Sequence, residues 1–123
     1  MTHDVTSETR TDARRLLDAH CSELALQEAV IDLARLLGWR CAHFRPARTK
    51  DGWRTPVSGD GIGFPDLLLL REDRQLVVEL KREGKQPDSA QWAWLAAFLL
   101  AGSEARLWHP HDLSSGEIER VLK

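Results

Sequence analysis

Two carboxylates and an amine stand close together in an otherwise apolar part of this sequence. Gly63-Phe64-Pro65-Asp66 leads into Leu67-Leu68-Leu69-Leu70, and after a polar connection comes Leu76-Val77-Val78-Glu79-Leu80-Lys81. Both apolar runs read as buried β-strands, and buried strands rarely carry ionised side chains without a partner. Side chains at i and i+2 of a strand share a face, so Glu79 and Lys81 point one way while Leu76, Val78 and Leu80 point the other. A hairpin joining the two strands brings Asp66 beside Glu79. Two carboxylates at close range repel unless a cation lies between them or one keeps a proton. Oxygen ligands alone favour hard, octahedral Mg2+ over zinc, and such an ion clamps a phosphate oxygen and acidifies a bound water. Lys81 suits an electrostatic, orienting role; as a general base it would need a depressed pKa, which nearby carboxylates oppose.

The elements that must carry these groups follow from periodicity. Leu26, Val30, Leu33 and Leu37 fall at i, i+4, i+7 and i+11 and predict a helix over residues 22–37, closed by Gly38. Glu23 extends the core-facing side of that helix, whereas Glu28 is turned well away. Residues 39–44 alternate as a first strand. The second, residues 66–71, holds four consecutive leucines, which implies cover on both faces. The third, 76–81, pairs with it antiparallel. Asp88 or Ser89 caps a helix running to about Ala101, with Gln91 completing a capping box with Asp88. That helix is apolar nearly all round and is expected to pack tightly on the sheet. Residues 104–108 form a fourth strand stopped by Pro110, and Ser114 or Ser115 opens a last helix. The order αβββαβ plus a C-terminal helix predicts an α/β fold, a mixed central sheet of about four strands flanked by helices. Residues 1–15 are polar and aperiodic and are expected to be an unstructured tail; 16–123 form one domain. Residues 45–64 lack periodicity and are long for a loop in a compact domain.

The totals exclude several classes. A net charge of −2 over 123 residues is not that of a general electrostatic nucleic-acid binder. Locally the balance differs: Arg40, Arg45, Arg48, Lys50 and Arg54 face Asp51 alone within residues 40–54. A phosphate-facing loop and a merely solvated one both account for that cluster. Cys21 and Cys41 form no CxxC pattern, so no disulfide framework is expected. No signal-peptide pattern opens the chain, and the longest apolar run, 92–101, is half of the ~20 residues a membrane span needs. A soluble, cytoplasmic protein with no membrane partner is expected. Cys41, His43, His109 and His111 make a poor zinc set, because their i, i+2 pairs lack the usual ligand loops.

The stretch from Gly63 to Asp66, followed by Glu79-Leu80-Lys81, resembles the PD-(D/E)xK signature of the restriction-endonuclease-like nucleases. Within that superfamily the chain is similar to virus-type replication-repair nuclease (VRR-NUC) domains. Glu23 and Gln27 ahead of Gly38-Trp39, His43, Gln91 with Trp94, Trp108-His109-Pro110 and Gly116-Glu117-Ile118 fit the same pattern, so the resemblance covers about residues 22–122. The insert at 45–61 departs from it. The resemblance implies the restriction-endonuclease-like fold, with Asp66, Glu79 and the Leu80 carbonyl as ligands of Mg2+ or Mn2+. It makes Lys81 the catalytic lysine, Glu23 a helix-borne acid binding metal through water or a second ion, and Gln91 a substrate or supporting contact. The implied activity is metal-dependent endodeoxyribonuclease, with branched DNA as first expectation, in the manner of a homodimeric Holliday-junction resolvase of a bacterial or phage-infected cell. His43, Arg45, Arg48, Lys50 and Arg54 are the expected DNA contacts. A nicking or flap-type nuclease on duplex or single-stranded ends, and a non-catalytic DNA-binding module retaining the fold, are the alternatives.

Overall fold

The computed structural model describes residues 5–44, 47–49, 52–54 and 59–123, the stretches 5–10, 47–49 and 52–54 by their backbone. Its elements are α1 (Val5–His20), α2 (Glu23–Leu36), β1 (Arg40–His43), β2 (Ala47–Thr49), β3 (Gly52–Arg54), β4 (Leu67–Arg71), β5 (Arg74–Leu80), α3 (Ser89–Leu100), β6 (Glu104–Trp108), α4 (Pro110–Ser114) and α5 (Glu117–Leu122). Four strands form one sheet in the order β1-β4-β5-β6, and β2 and β3 pair separately. The class is therefore α/β with an open mixed sheet. β4 and β5 form an antiparallel hairpin from Leu67↔Val78 to Arg71↔Arg74. β5 starts two residues earlier than the apolar run suggests, which shortens the turn to Glu72-Asp73. Glu72 accordingly takes φ 53°, the left-handed conformation such tight turns demand. β1 lies antiparallel to β4, and β6 joins β5 in parallel after the α3 crossover.

One face of the sheet is sealed. Leu67 and Leu69 of β4, Leu76, Val78 and Leu80 of β5 and Trp108 of β6 meet Leu26, Val30 and Ala34 of α2 and Ile118, Val121 and Leu122 of α5. Each fully buried Leu, Ile or Val there contributes about 1.5–3 kcal/mol. The buried stripe of α2 runs 26, 30, 34, with Leu33 and Leu37 only partly covered. Trp39 locks the C-terminal end. Its Nε1 donates to the Leu122 carbonyl at 2.9 Å, and the Arg71 and Arg74 guanidinium groups lie 4.6 and 4.8 Å from its ring centre. Arg71 also donates to the carbonyls of Leu37, Leu122 and Lys123, which sets a cation against the closing turns of α2 and α5.

The other face is less covered than the sequence implies. Leu67 and Leu69 are fully buried, but Leu68 is half-buried and Leu70 exposed, so the leucine run is sealed on one side only. α3 packs on β5 and β6, and of its residues Leu95 alone is buried, which corrects the expectation of a helix buried all round. The backbone is helical from Val5, where the sequence suggests an unstructured tail over 1–15; residues 1–4 lie outside the described ones. The last turn of α1 is held by buried Asp18, whose Oδ2 accepts from Ser114 Oγ at 3.1 Å. Within 45–64, β2 and β3 pair from Ala47↔Arg54 to Thr49↔Gly52. Three-residue strands are too short to leave a period in the sequence. Pro110 opens α4 at its first turn instead of merely ending β6, and α5 starts at Glu117 after Gly116 in the left-handed conformation, φ 86°. Among the described residues no helix is long and apolar enough to cross a membrane.

Candidate active site

Asp66 precedes β4 by one residue. Continuing the β4–β5 register by one pair sets Asp66 opposite Glu79, and by two sets Pro65 opposite Leu80. Proline has no N–H, so Leu80 lacks a ladder donor on that side. Its own N–H donates instead to Asp66 Oδ2 at 2.8 Å. Lys81 N–H turns the other way, to the Trp108 carbonyl at 3.1 Å. The alternation leaves the Leu80 carbonyl on the Asp66 side, with no backbone N–H from Pro65 to take it.

The loop that delivers Asp66 is held from two sides. Phe64 meets Phe44, Trp94 and Phe98 edge-on, with ring centres 5.1, 5.0 and 5.8 Å away. Trp94 Nε1 donates to the carbonyls of Asp60 and Ile62, and Phe44 N–H donates to the Asp66 carbonyl at 3.2 Å. Gly63 has φ +84°, and a Cβ there would lie 2.7 Å from the Ala90 carbonyl carbon and 2.8 Å from Gln91 N. The first turn of α3 thus rests on a bare glycine beside the site. Gly63→Ala is expected to destabilise by about 2–4 kcal/mol, from ~1–2 kcal/mol of left-handed strain plus displacement of α3. Chemical denaturation measures it; a loss below about 0.5 kcal/mol, typical of a neutral surface change, would show that this contact does not hold the loop.

Glu79 is 1% exposed, its Oε2 has no hydrogen-bond partner, and its Oε1 lies 3.7 Å from Lys81 Nζ. Burial first, and then the charge of Asp66, push Glu79 from its ordinary 4.5 up to about 9 against the opposing pull of Lys81. A side-chain hydrogen bond with Asp66 acts in the same direction, so a protonated Glu79 donates to Asp66, and the Oε2 atom lacks a partner only when both groups are ionised. Burial also raises Asp66, although the Leu80 N–H and Lys81 favour its charged form. Glu23 follows Ser22, the N-cap of α2, whose Oγ accepts from Ala25 N–H at 3.0 Å. As a residue Glu23 is exposed, yet its carboxyl end is desolvated enough to be raised, first by burial and then by Asp66, with Lys81 and Arg82 opposing. Glu23, Asp66, Glu79, Lys81 and Arg82 therefore share one electrostatic neighbourhood. Arg82 was not singled out by sequence; only its place after Glu79-Leu80-Lys81 signals it.

The donor set fits a hard divalent cation. It offers a buried carboxyl on Glu79, the Asp66 carboxylate and the Leu80 carbonyl. The Glu23 carboxylate does not converge with those of Asp66 and Glu79 into one ligand cluster among the described residues, so its place is on the outer side. Gln91 is differently employed: its Oε1 accepts from Asp88 N–H and its N–H donates to Asp88 Oδ1, both at 2.9 Å, so it caps α3 beside the site. His43 ends β1 and is exposed. Arg48 and Arg54 fall in β2 and β3, whereas Arg45 and Lys50 lie outside the described residues. Cys41 and His43, on edge strand β1, are separated by the whole sheet from His109 and His111, which follow the opposite edge strand β6; they form no common zinc set. No protein-family model, curated protein or solved structure matches the chain.

Proposed function

We propose that this chain is a divalent-metal-dependent endodeoxyribonuclease with a restriction-endonuclease-like fold of the VRR-NUC type, acting on branched DNA. The observation that carries the reading is Glu79, a glutamate buried opposite Asp66 with one carboxylate oxygen unpartnered. Two carboxylate charges held together in a buried place are costly, which is why Glu79 keeps a proton beside Asp66, and a cation that displaces that proton relieves the cost. Asp66, Glu79 and the Leu80 carbonyl would hold Mg2+ or Mn2+, with Glu23 on its outer side. When bound, such an ion polarises a phosphate oxygen and lowers the pKa of a water. Lys81 offers a fixed positive charge to the non-bridging oxygens as negative charge builds there. Arg82, with His43 and the basic residues Arg45, Arg48, Lys50 and Arg54, supplies contacts to the DNA backbone.

A second copy of the chain is the proposed partner, docking through the outer face of α3. No charged residue occurs from Ser89 to Ser103, and Trp92, Leu99 and Leu100 are 46%, 57% and 91% exposed. Ala93 and Ala97 continue that face into a groove of ≈ 290 Å³ closed by Ile62, with Asp60 as the charged residue at its edge. A two-fold axis sets a patch against itself, which suits a face without charge.

The test incubates the protein with a mobile four-way junction, a flap and a linear duplex, in Mg2+ and in EDTA. Paired, symmetric nicks in the junction are expected in Mg2+ only, and Leu100→Glu is expected to yield monomers that make single nicks. Cleavage of flap or duplex alone would replace the junction reading with the nicking or flap-type one. Binding without cleavage of any substrate would leave a DNA-binding module.

A further inference from the structure

We infer that the chain holds a second metal site, for a borderline transition-metal ion such as Zn2+, built by His109, His111 and Asp112 where β6 passes into α4. The site is independent of the nuclease reading. One donor atom from each of these three residues falls within 4.8 Å of the others.

The hydrogen bonds around the two imidazoles define which nitrogens are available. His109 Nε2 lies 2.7 Å from the Lys85 carbonyl oxygen, which can only accept, so Nε2 carries the hydrogen. His111 Nδ1 lies 2.8 Å from Glu83 Oε1, a carboxylate oxygen that also accepts the His111 backbone N–H at 2.7 Å, so Nδ1 is the donor there. The remaining nitrogens, His109 Nδ1 and His111 Nε2, both face Asp112, at 4.0 Å from Oδ2 and 3.5 Å from Oδ1. The two nitrogens left over thus converge on one carboxylate, an arrangement that a cation lying between them satisfies. A carbonyl or carboxylate behind each imidazole is the pattern that orients metal-ligating histidines and fixes their tautomers. Two imidazoles and one carboxylate select a borderline ion over Mg2+.

The division of labour among the ligands is also legible. The His109 side chain is 10% exposed and held by Lys85, so it is the fixed ligand. Asp112 Oδ2 already accepts His109 N–H at 2.8 Å as part of the α4 cap, which leaves Oδ1 to coordinate. The rings stand 5.4 Å apart and 11° from parallel, so closure requires one to tilt toward the ion. His111, its side chain 56% exposed, has the room to do so. Because Glu83 and Lys85 back the two ligands, an ion here would fasten the segment that follows Lys81 and Arg82 to the start of α4.

The test uses untagged protein freed of metal with EDTA, desalted, and titrated with Zn2+ by calorimetry and with Co2+ by absorption, in millimolar Mg2+ to occupy any carboxylate site. One equivalent of Zn2+ and a tetrahedral Co2+ spectrum are expected. Glu83→Gln should weaken binding by about 10–100-fold, and His111→Ala and Asp112→Asn by more. The Asp66→Asn/Glu79→Gln double variant should bind Zn2+ as the wild type does. Unchanged affinity in His111→Ala, loss of Zn2+ binding in the double variant, or a wild type that binds no Zn2+ would each overturn the assignment, the last leaving protonated imidazoles as the charge beside Asp112.

Discussion

Glu79→Gln is expected to stabilise the metal-free protein at pH 8 by about 3 kcal/mol while abolishing its response to Mg2+. Glu79 rises from 4.5 to about 9 on folding, mainly through burial and then through Asp66. Between those two values the folded chain keeps a proton that the unfolded chain has released. Stability from this group is therefore complete below 4.5, and declines as pH rises toward about 9, by up to about 1.4 kcal/mol per pH unit. Asp66, also raised, adds to the same trend. Wild type in EDTA should then melt highest near pH 5 and lose on the order of 10 °C by pH 8, since 1 kcal/mol corresponds to about 4 °C in a domain of this size. Glutamine keeps the shape of the side chain and has no proton to retain, so the variant should have a much flatter profile. Adding Mg2+ at pH 8 should raise the wild-type melting temperature with release of protons and leave the variant unmoved. Thermal melts across pH 5–9, with Mg2+ or EDTA, decide this. A wild type as flat as Glu79→Gln would mean that Glu79 carries no such burden, and the metal-centre reading would lose its basis.

The pairing of Asp66 with Glu79 was legible in sequence because a hairpin with a short polar turn leaves little choice of register. Strand alternation then assigns Glu79 and Lys81 to one face and Leu76, Val78 and Leu80 to the other, as the sealed core requires. Glu23 was legible for a similar reason: the α2 stripe is 26, 30, 34 instead of 26, 30, 33, 37, but both begin one turn after residue 23. What composition cannot reveal is which neighbour covers an apolar face. α3 and the leucine run read as buried on all sides, yet Leu100 and Leu70 face outward. Gln91 shows a related limit, since one residue type at one spacing serves a cap and a substrate contact equally well. The sequence sets His109 and His111 aside as ligands because an i, i+2 pair lacks a ligand loop. What it does not reveal is Asp112 beside them and Glu83 behind them, which lies 28 residues from His111 and meets it only through the β5–β6 pairing.

Lys81→Ala is expected to lower Mg2+-dependent cleavage by about 10²–10³-fold, the scale of losing one preorganised donor at a developing charge. Folding should survive the change. At 3.7 Å the ammonium is a loose partner of Glu79, and Glu79 stays near 9 despite it, so burial and Asp66 outweigh whatever Lys81 contributes. The fold therefore does not depend on this ion pair, and the value of the amine lies in what it offers a substrate. A permanent positive charge and a general base differ in their pH signature. As an electrostatic partner, Lys81 lowers the barrier equally across the range where it is protonated. Its removal should then shift the whole pH–rate profile down in parallel, with DNA binding in EDTA changed by no more than the loss of a single phosphate contact. As a base, its removal would erase the rising limb of the profile and leave the acidic limb unchanged. Single-turnover cleavage by wild type and Lys81→Ala over pH 6–9 separates the two, and equal rates would exclude Lys81 from the reaction. The carboxyl groups of Glu23, Asp66 and Glu79 around it argue for the parallel shift, since acids beside an amine favour a positive charge there and oppose its use as a base.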